Sequence, residues 1–447
     1  MIAHLNRKSY SVALVFAASA ALIAATSTAA VAANLCVDPK GPPGCYKTIG
    51  AAVAVASPGD VIYVAAGVYK EDVVIGKSLS LIGAGETTTT IYAAGLANGV
   101  YIDGRDHSGL NNVVVTGFTV ENAQYEGILV TNASSVTIWG NHVRKNDLSL
   151  SIATTACVGQ PDWETDEGFD CGEGIHLTGA NHSTVANNIV ESNAGGILLS
   201  DDTGATYGNV VSGNLATDNP YDCGIVLASH PPGPNSTARH NGVFQNTIIG
   251  NTSTRNGFQV PGAGAGVGIF ADGTGVGTVS NNVISYNILT NNGLPGVAFH
   301  SHVGPGSGAP ADNLNGNVIV GNQISGNGAD LFDTATPGPT GININAGFGG
   351  TPIVGTVISE NKIWNEAQDV AVNTPGHVDL HLNNLLGSGM GVDNLGKGTI
   401  NANENYWGCA GGPSVTGCST VSGTGVTWPA WLTSPFVPNG IMTIPVP

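Results

Sequence analysis

The chain has 447 residues, of which 10% are charged, and its 31 acidic against 13 basic side chains give a net charge of −18. A surface of that sign repels nucleic acid and anionic lipid, so neither is an expected partner. Gly, Asn, Thr and Val are abundant, a composition that favours strands and tight turns over helices.

In chain order, Arg7 and Lys8 precede an apolar run from Val12 to Ala25 and then small residues ending in Ala30-Val31-Ala32. This is the order of a Sec signal peptide cut after Ala32, so residues 1–32 are read as an export signal. Leu35 before Cys36 is too large for a lipoprotein signal, and no later stretch is apolar for long enough to span a bilayer. The mature chain is expected to be secreted or periplasmic, without membrane insertion, and monomeric.

Ile49, Ala52, Val53 and Ala56 fall at helical spacing and predict a short helix that plugs the N-terminal end of the fold. Strand-like runs follow at Asp60–Val64 and Glu71–Ile82. Beyond them one unit recurs: Gly127-Ile128-Leu129-Val130, Gly174-Ile175-His176-Leu177, Gly196-Ile197-Leu198-Leu199, Gly224-Ile225-Val226-Leu227, Gly268-Ile269-Phe270-Ala271, Gly296-Val297-Ala298-Phe299 and Gly341-Ile342-Asn343-Ile344. The copies lie about 22–28 residues apart, or about 44–47 where a loop intervenes, which is a solenoid period. Between them come asparagines five apart, such as Asn188/Asn193, Asn214/Asn219 and Asn251/Asn256. Asn tolerates a left-handed turn and its amide bonds neighbouring backbone, so stacked coils should form Asn ladders.

Like strands at one-coil spacing mean parallel stacking about 4.8 Å apart. The expected fold is all-β, a right-handed parallel β-helix with a short N-terminal capping helix and a C-terminal disulfide cap. Residues 33–96 are read as the N-terminal cap and first coils, 97–405 as repeats with inserted loops, and 406–447 as the C-terminal cap. Cys36 and Cys45, Cys157 and Cys171, and Cys409 and Cys418 are close in sequence and suit disulfides in an exported protein. Cys223 is left over, and sequence leaves open whether it stays a thiol or competes for Cys157 or Cys171.

The stretch GDVIYVAAGVYKEDVVIGKSLSLIGAG, the repeats and the ending ENYWGCAGGP…GCSTVSG resemble secreted bacterial β-helix repeat proteins of the pectin-lyase-like superfamily. The resemblance implies the fold and a carbohydrate setting, but the superfamily holds lyases, hydrolases, esterases, epimerases and non-enzymes. The chain departs from the enzymes' patterns. It has no Gln-Asp-Thr esterase run, no Arg-x-x-Arg-x-Pro lyase motif and no Asp-Pro-His-Asp epimerase motif. Asp201-Asp202 matches only the first part of the polygalacturonase set.

Chemistry is sought instead just past each Gly-Ile strand, where Asp201 and Asp202, His230, Asp272, and His300 and His302 follow in consecutive coils. They are expected to form one strip of carboxylates and imidazoles suited to acid-base work along a polymer. Asp202 and Asp272, two coils apart, would stand roughly 9.6 Å from each other, near the upper end of the spacing of about 6.5–9.5 Å used by inverting glycosidases. His230 lies between and could tune either. His176 on the outward face, Trp163 and Tyr221 are candidates for holding sugar rings. The acidic loop Asp162, Glu164, Asp166, Glu167 and Asp170 is a candidate for calcium. His230 with His300 and His302 is a candidate for another metal. For each residue there is also a structural role: Asp201 and Asp202 capping a turn, the histidines bonding loop backbone, the acidic loop a solvated surface.

The reading taken forward is a carbohydrate-active protein, a hydrolase of polysaccharide or cell-surface glycan. Its rivals are a non-catalytic glycan-binding or structural surface protein, a lyase, and periplasmic metal handling. An open groove joining Asp202, His230, Asp272 and His300 would favour the hydrolase. Burial of those groups in loop hydrogen bonds would favour the structural reading, and two converging imidazoles the metal reading. A lyase needs positive charge for a uronate, and Arg239 and Arg255 are the arginines nearest in sequence.

Overall fold

A computed structural model describes residues 32–147, 161–164, 172–230, 241–259, 264–272, 275–303, 308–331, 336, 338–347, 350–387 and 389–438. The proposed signal peptide, the Cys157–Cys171 pair, Arg239 and the acidic residues Asp166, Glu167 and Asp170 lie outside the described residues.

Each coil contributes one short strand to each of three long sheets, of 15, 11 and 12 strands, and every pairing is parallel. Period-2 alternation drives the fold. Leu81, Val115, Ile138, Val185, Val211 and Ile248 stack in register in the first sheet, all at most 1% exposed, and continue as one apolar column through the solenoid. The expected strand Glu71–Ile82 is two, Val73–Ile75 and Leu79–Gly83, because Gly76-Lys77-Ser78 turns the chain from the third sheet to the first.

The asparagines stack as expected. Asn141, Asn188, Asn214, Asn251, Asn287 and Asn322 form a buried column that continues to Asn405. In each step one Oδ1 accepts both the backbone N–H and the amide of the Asn in the preceding coil. The left-handed residue, however, is the one before each ladder Asn: Gly213 (φ 63°), Gly250 (φ 66°) and Gly321 (φ 70°). The ladder Asn contributes its amide, and its neighbour absorbs the turn.

Both ends are closed. Helix Ile49–Val55 packs Ile49, Ala52 and Val53 on the core. Glu71 caps it by accepting from the backbone of Ile49 and Gly50, each at 2.8 Å. Disulfides join Cys36 to Cys45 and Cys409 to Cys418, and Trp407 is buried against the last coils. Cys223 is a buried thiol, its Sγ accepting from the N–H of Ala265 at 3.3 Å.

The third sheet differs from the others. Strands Glu173–Thr178, Gly195–Ser200, Ile225–Ser229, Val297–Ser301 and Thr340–Asn345 are buried at every position, outward side chains included. In sequence, the insertions of the repeat flank the ends of these strands.

Candidate acid-base site

His176 occupies the outward middle of its strand, in register with Leu129 and Leu198. Glu126 and Glu173 each stand two residues before the inward isoleucine of consecutive strands, Ile128 and Ile175. Both carboxylates therefore sit at the same strand entrance, one coil apart. Glu164 comes from the insertion before Glu173. Ser200 and Asp202 come from the next coil, and His230 from the coil after that. None of these six ionisable groups (Glu126, Glu164, Glu173, His176, Asp202, His230) is more than 7% exposed.

Hydrogen bonds link them into a chain. His176 Nδ1 donates to Glu126 Oε1 at 2.8 Å, and Glu126 Oε2 accepts from the N–H of Glu173 at 2.7 Å. Ser200 Oγ donates to Asp202 Oδ2, which leaves a lone pair on Ser200 to accept from His176 Nε2 at 2.8 Å. His230 Nδ1 faces Asp202 Oδ2 at 3.4 Å. With both ring nitrogens donating, His176 is an imidazolium. Burial pulls its pKa down, but Glu164 and Glu126 outweigh burial and raise it to about 9.

The carboxyls part company. Burial pushes Glu164 well above the usual range, helped by the negative charges of Asp202 and Glu126. Burial raises Glu126 as well. Burial also acts on Asp202, but the facing His230 and the Ser200 hydroxyl prevail and bring it down to about 2. One carboxyl is thus held neutral and another ionised, with atoms within 4.8 Å of each other across His176. Glu164 and the Tyr125 hydroxyl, both buried, face each other in a side-chain hydrogen bond. Tyr101, Trp163 and Tyr221, all half-buried, pack around Tyr125 and Leu129 at the outer side, and Arg105 lies over the Trp163 ring at 5.6 Å.

The expected strip follows the register coil by coil, with Asp202, His230, Asp272 and His302 just past strand positions that stack in consecutive coils, but its members have different neighbours. Asp202 and His230 join the His176 cluster. Asp201 does not: its carboxylate accepts from the N–H groups of His230, Asn241 and Gly242 and from Ser229 Oγ, at 2.5–2.9 Å, so it holds the turn. Asp272 is half-buried, its N–H donates to Ser229 O, and it is not among the carboxyls gathered at His176. His300 and His302 belong to a separate group, with Phe270 and Asp330. The metal reading built on His230, His300 and His302 meets the same obstacle. The triads with metal-ligand spacing among the described residues are Glu126, Glu173 and His176, and Glu164, His176 and Asp202. A cation bound through His176 would first have to displace one of its ring protons, Nδ1–H on Glu126 or Nε2–H on Ser200. In the acidic loop, Asp162 is exposed while Glu164 is buried in the cluster.

Sequence reasoning missed Glu126, Glu173 and Ser200. A signal was present: Glu126-Gly127-Ile128 and Glu173-Gly174-Ile175 repeat the same triplet in consecutive coils, placing two acids at one stacked position.

Three sheets of parallel strands, stacked ladders and two caps define a parallel β-helix. Residues 87–267 match the family model of the right-handed β-helix region, in agreement with the fold. DFA-IIIase from Arthrobacter chlorophenolicus A6, solved with GF2, aligns with a TM-score of 0.55 and 11% identity over 86% of this chain and 96% of that one. The catalytic unit of an α-1,3-glucanase from Streptomyces thermodiastaticus gives 0.44 and 14% over 85% of this chain and 65% of that one. A mannuronan C-5 epimerase A-module from Azotobacter vinelandii gives 0.40 and 14%, with 86% and 92% covered. At these identities the likeness is one of fold. No curated protein matches the chain in sequence.

Proposed function

We propose that the chain is an exported polysaccharide hydrolase in which Glu164 is the general acid and Asp202 the ionised partner. One observation carries the reading. Glu164, whose carboxyl burial pushes well above the usual range although the Tyr125 hydroxyl bonds to it, lies across His176 from the Asp202 carboxylate held at about 2. Glu164 gives its proton to the leaving glycosidic oxygen. Asp202 attacks the anomeric carbon and forms a glycosyl ester. Water, deprotonated by Glu164, then releases the sugar and restores both groups. His176, Ser200 and His230 keep Asp202 ionised through the step. Tyr101, Trp163 and Tyr221 supply faces for sugar rings. The disulfides Cys36–Cys45 and Cys409–Cys418 support export.

Arg105 at the outer rim favours a second reading, a lyase for a uronate polymer, since a guanidinium can pair with the sugar carboxylate. Arg255 does not serve that role, because it pairs with Asp218 at the surface. The test is a panel of neutral glycans and polyuronates, with and without calcium, scored for new reducing ends and for ultraviolet absorbance of unsaturated products. Reducing ends without absorbance, lost in Glu164→Gln and Asp202→Asn, establish the hydrolase. Absorbance establishes the lyase, and silence on all substrates by folded protein overturns both in favour of the non-catalytic structural reading, with which the burial of Asp202, His230 and His300 agrees.

A further inference from the structure

Asn343 repeats the position of His176. The register runs His176, Leu198, Val226, Gly268, Ala298, Asn343, so both side chains leave the same outward column of the third sheet. Asn343 is 0% exposed, yet among the described residues neither its Oδ1 nor its Nδ2 has a hydrogen-bond partner. A buried amide with both atoms unserved opposes folding, and ladder asparagines elsewhere in this chain are fully bonded.

The surrounding polar groups satisfy one another. Thr340 Oγ1 donates to Gln368 Oε1, and Gln368 Nε2 donates to Asp393. Asn345 Oδ1 accepts from Gly347 N and Asn373 Nδ2. The column neighbours Ala298 and Ala371 are small and flank Asn343 without competing for its amide. In the preceding coil His300, in register with Asn345, is buried 2.5 Å from the Asp330 carboxylate, and half-buried Phe270 and exposed His302 stack ring on ring beside it. Polar groups behind an aromatic rim thus occur twice on one face of the solenoid.

We propose that Asn343, with His300 and Asp330, forms a second saccharide-binding subsite. A carboxamide presents one donor and one acceptor side by side, which matches two adjacent sugar hydroxyls. Phe270 and His302 offer ring faces to the same sugar. His300 lies three coils from Ser200 along one column, roughly 14 Å at the strand spacing. A glycan lying along the axis with one end at Glu164 spans that distance. The glycan class rests on the function proposed above, whereas the binding site itself does not require Glu164 to be catalytic.

The experiment is affinity electrophoresis of the mature chain in gels containing β-glucan, xylan, dextran, inulin, alginate or polygalacturonate. At least one polymer should retard the wild type. Asn343→Ala should bind it about tenfold more weakly, the loss of a hydrogen-bonded pair, and His300→Ala should also weaken it. Because Asn343 has no partner among the described residues, Asn343→Ala and Asn343→Leu should melt at or above the wild-type temperature. Equal retardation of Asn343→Ala and wild type, no retardation by any polymer, or clear destabilisation of both Asn343 variants would each overturn the subsite. Turnover surviving in Glu164→Gln would instead remove the catalytic reading while leaving Asn343-dependent binding intact.

Discussion

Glu164 Oε1 stands 3.5 Å from His176 Nδ1, the same nitrogen that donates to Glu126 at 2.8 Å. Two carboxyls thus compete for one buried imidazolium, and Glu126 wins the hydrogen bond. Glu164 is left beside the positive charge and the Tyr125 hydroxyl, and burial pushes its pKa well up. A neutral acid and an ionised one a few ångströms apart is an arrangement that burial and one shared cation generate without a metal.

Activity should follow those two protonation states. Glu164 must carry a proton, so the rate falls as pH rises through its elevated pKa. Asp202 must be ionised, so the acid limb appears only near pH 2. Glu164→Gln and Asp202→Asn should each lower kcat about 10²–10⁴-fold. A pH–rate profile checks the assignment; an acid limb at pH 4–5 would mean that an ordinary carboxylate, not Asp202, is the ionised group.

The separation of the pair sets the stereochemistry. Glu164 and Asp202 atoms lie within 4.8 Å, close to the spacing of about 5–5.5 Å in retaining glycosidases and short of the roughly 6.5–9.5 Å that leaves room for water in inverting ones. Proton NMR of the first-formed anomer should show retention. Inversion would restore a more distant partner for Asp202, such as Asp272.

His176 also carries stability. Its folded pKa, about 9, lies above the unfolded value of about 6.5, so its contribution is complete below about pH 6.5 and is lost as pH rises through about 9. Glu126 and Glu164 act in the same direction, since acids with raised folded pKa values favour the folded state at low pH. Asp202 acts oppositely, and its contribution disappears as pH falls through about 2. Melting temperature should therefore decline on the alkaline side. His176→Ala, which leaves buried carboxylates without their cation, should lose about 3–5 kcal/mol at neutral pH. Urea unfolding at several pH values measures both; a variant as stable as wild type would mean that the carboxyls are neutral without His176.

The fold was legible because a solenoid writes its period into the sequence. Gly-Ile at each third-sheet strand and asparagines five apart at each turn are local signals repeated many times. The site was only half legible. Asp202 and His230 were found because they follow their strands directly. Asp201 looks the same in sequence but is consumed by the backbone N–H groups of His230, Asn241 and Gly242, a three-dimensional fact with no local signature. Glu164 reaches His176 from an insertion, so no coil alignment places it. Arg105 was overlooked for the same reason, being distant in sequence from Trp163, over which it lies.

The ladder itself is testable at Asn251. Its Oδ1 accepts from Asn214 N and Nδ2 at 2.9 and 3.0 Å, and its amide donates to Val211 O and Asn287 Oδ1 at 2.9 and 3.0 Å. Asn251→Ala leaves several buried groups unserved and should cost roughly 2–5 kcal/mol. Asn251→Asp keeps the acceptor but loses the donor and should also destabilise at neutral pH. Denaturant midpoints at fixed pH report the difference; a neutral Ala variant would show that the ladder follows the turns rather than holding them.

A second Asn column runs from Asn146 through Asn193, Asn219, Asn256 and Asn292 to Asn327, and at its far end the pattern breaks in a way that should be sensitive to pH. Glu366 stands where an Asn would, its Oε1 accepting from Asn327 N and Nδ2 at 3.1 Å each. Burial raises its pKa to about 7, against the hydrogen bonds from Asn327, and nearby Asp369 is raised well above its usual range by burial and by Glu366. A folded pKa above the unfolded value of about 4.3 means that Glu366 penalises the folded state increasingly as pH rises from about 4 to 7, and by a constant amount beyond. Glu366→Gln keeps an acceptor for Asn327 and removes the charge. It should match wild type near pH 4 and exceed it at pH 8 by a few kcal/mol at most, since one pKa unit is worth about 1.4 kcal/mol. The check is the stability difference between the two proteins across that range. A constant difference would mean that Glu366 titrates alike in both states, leaving packing alone to explain the substitution.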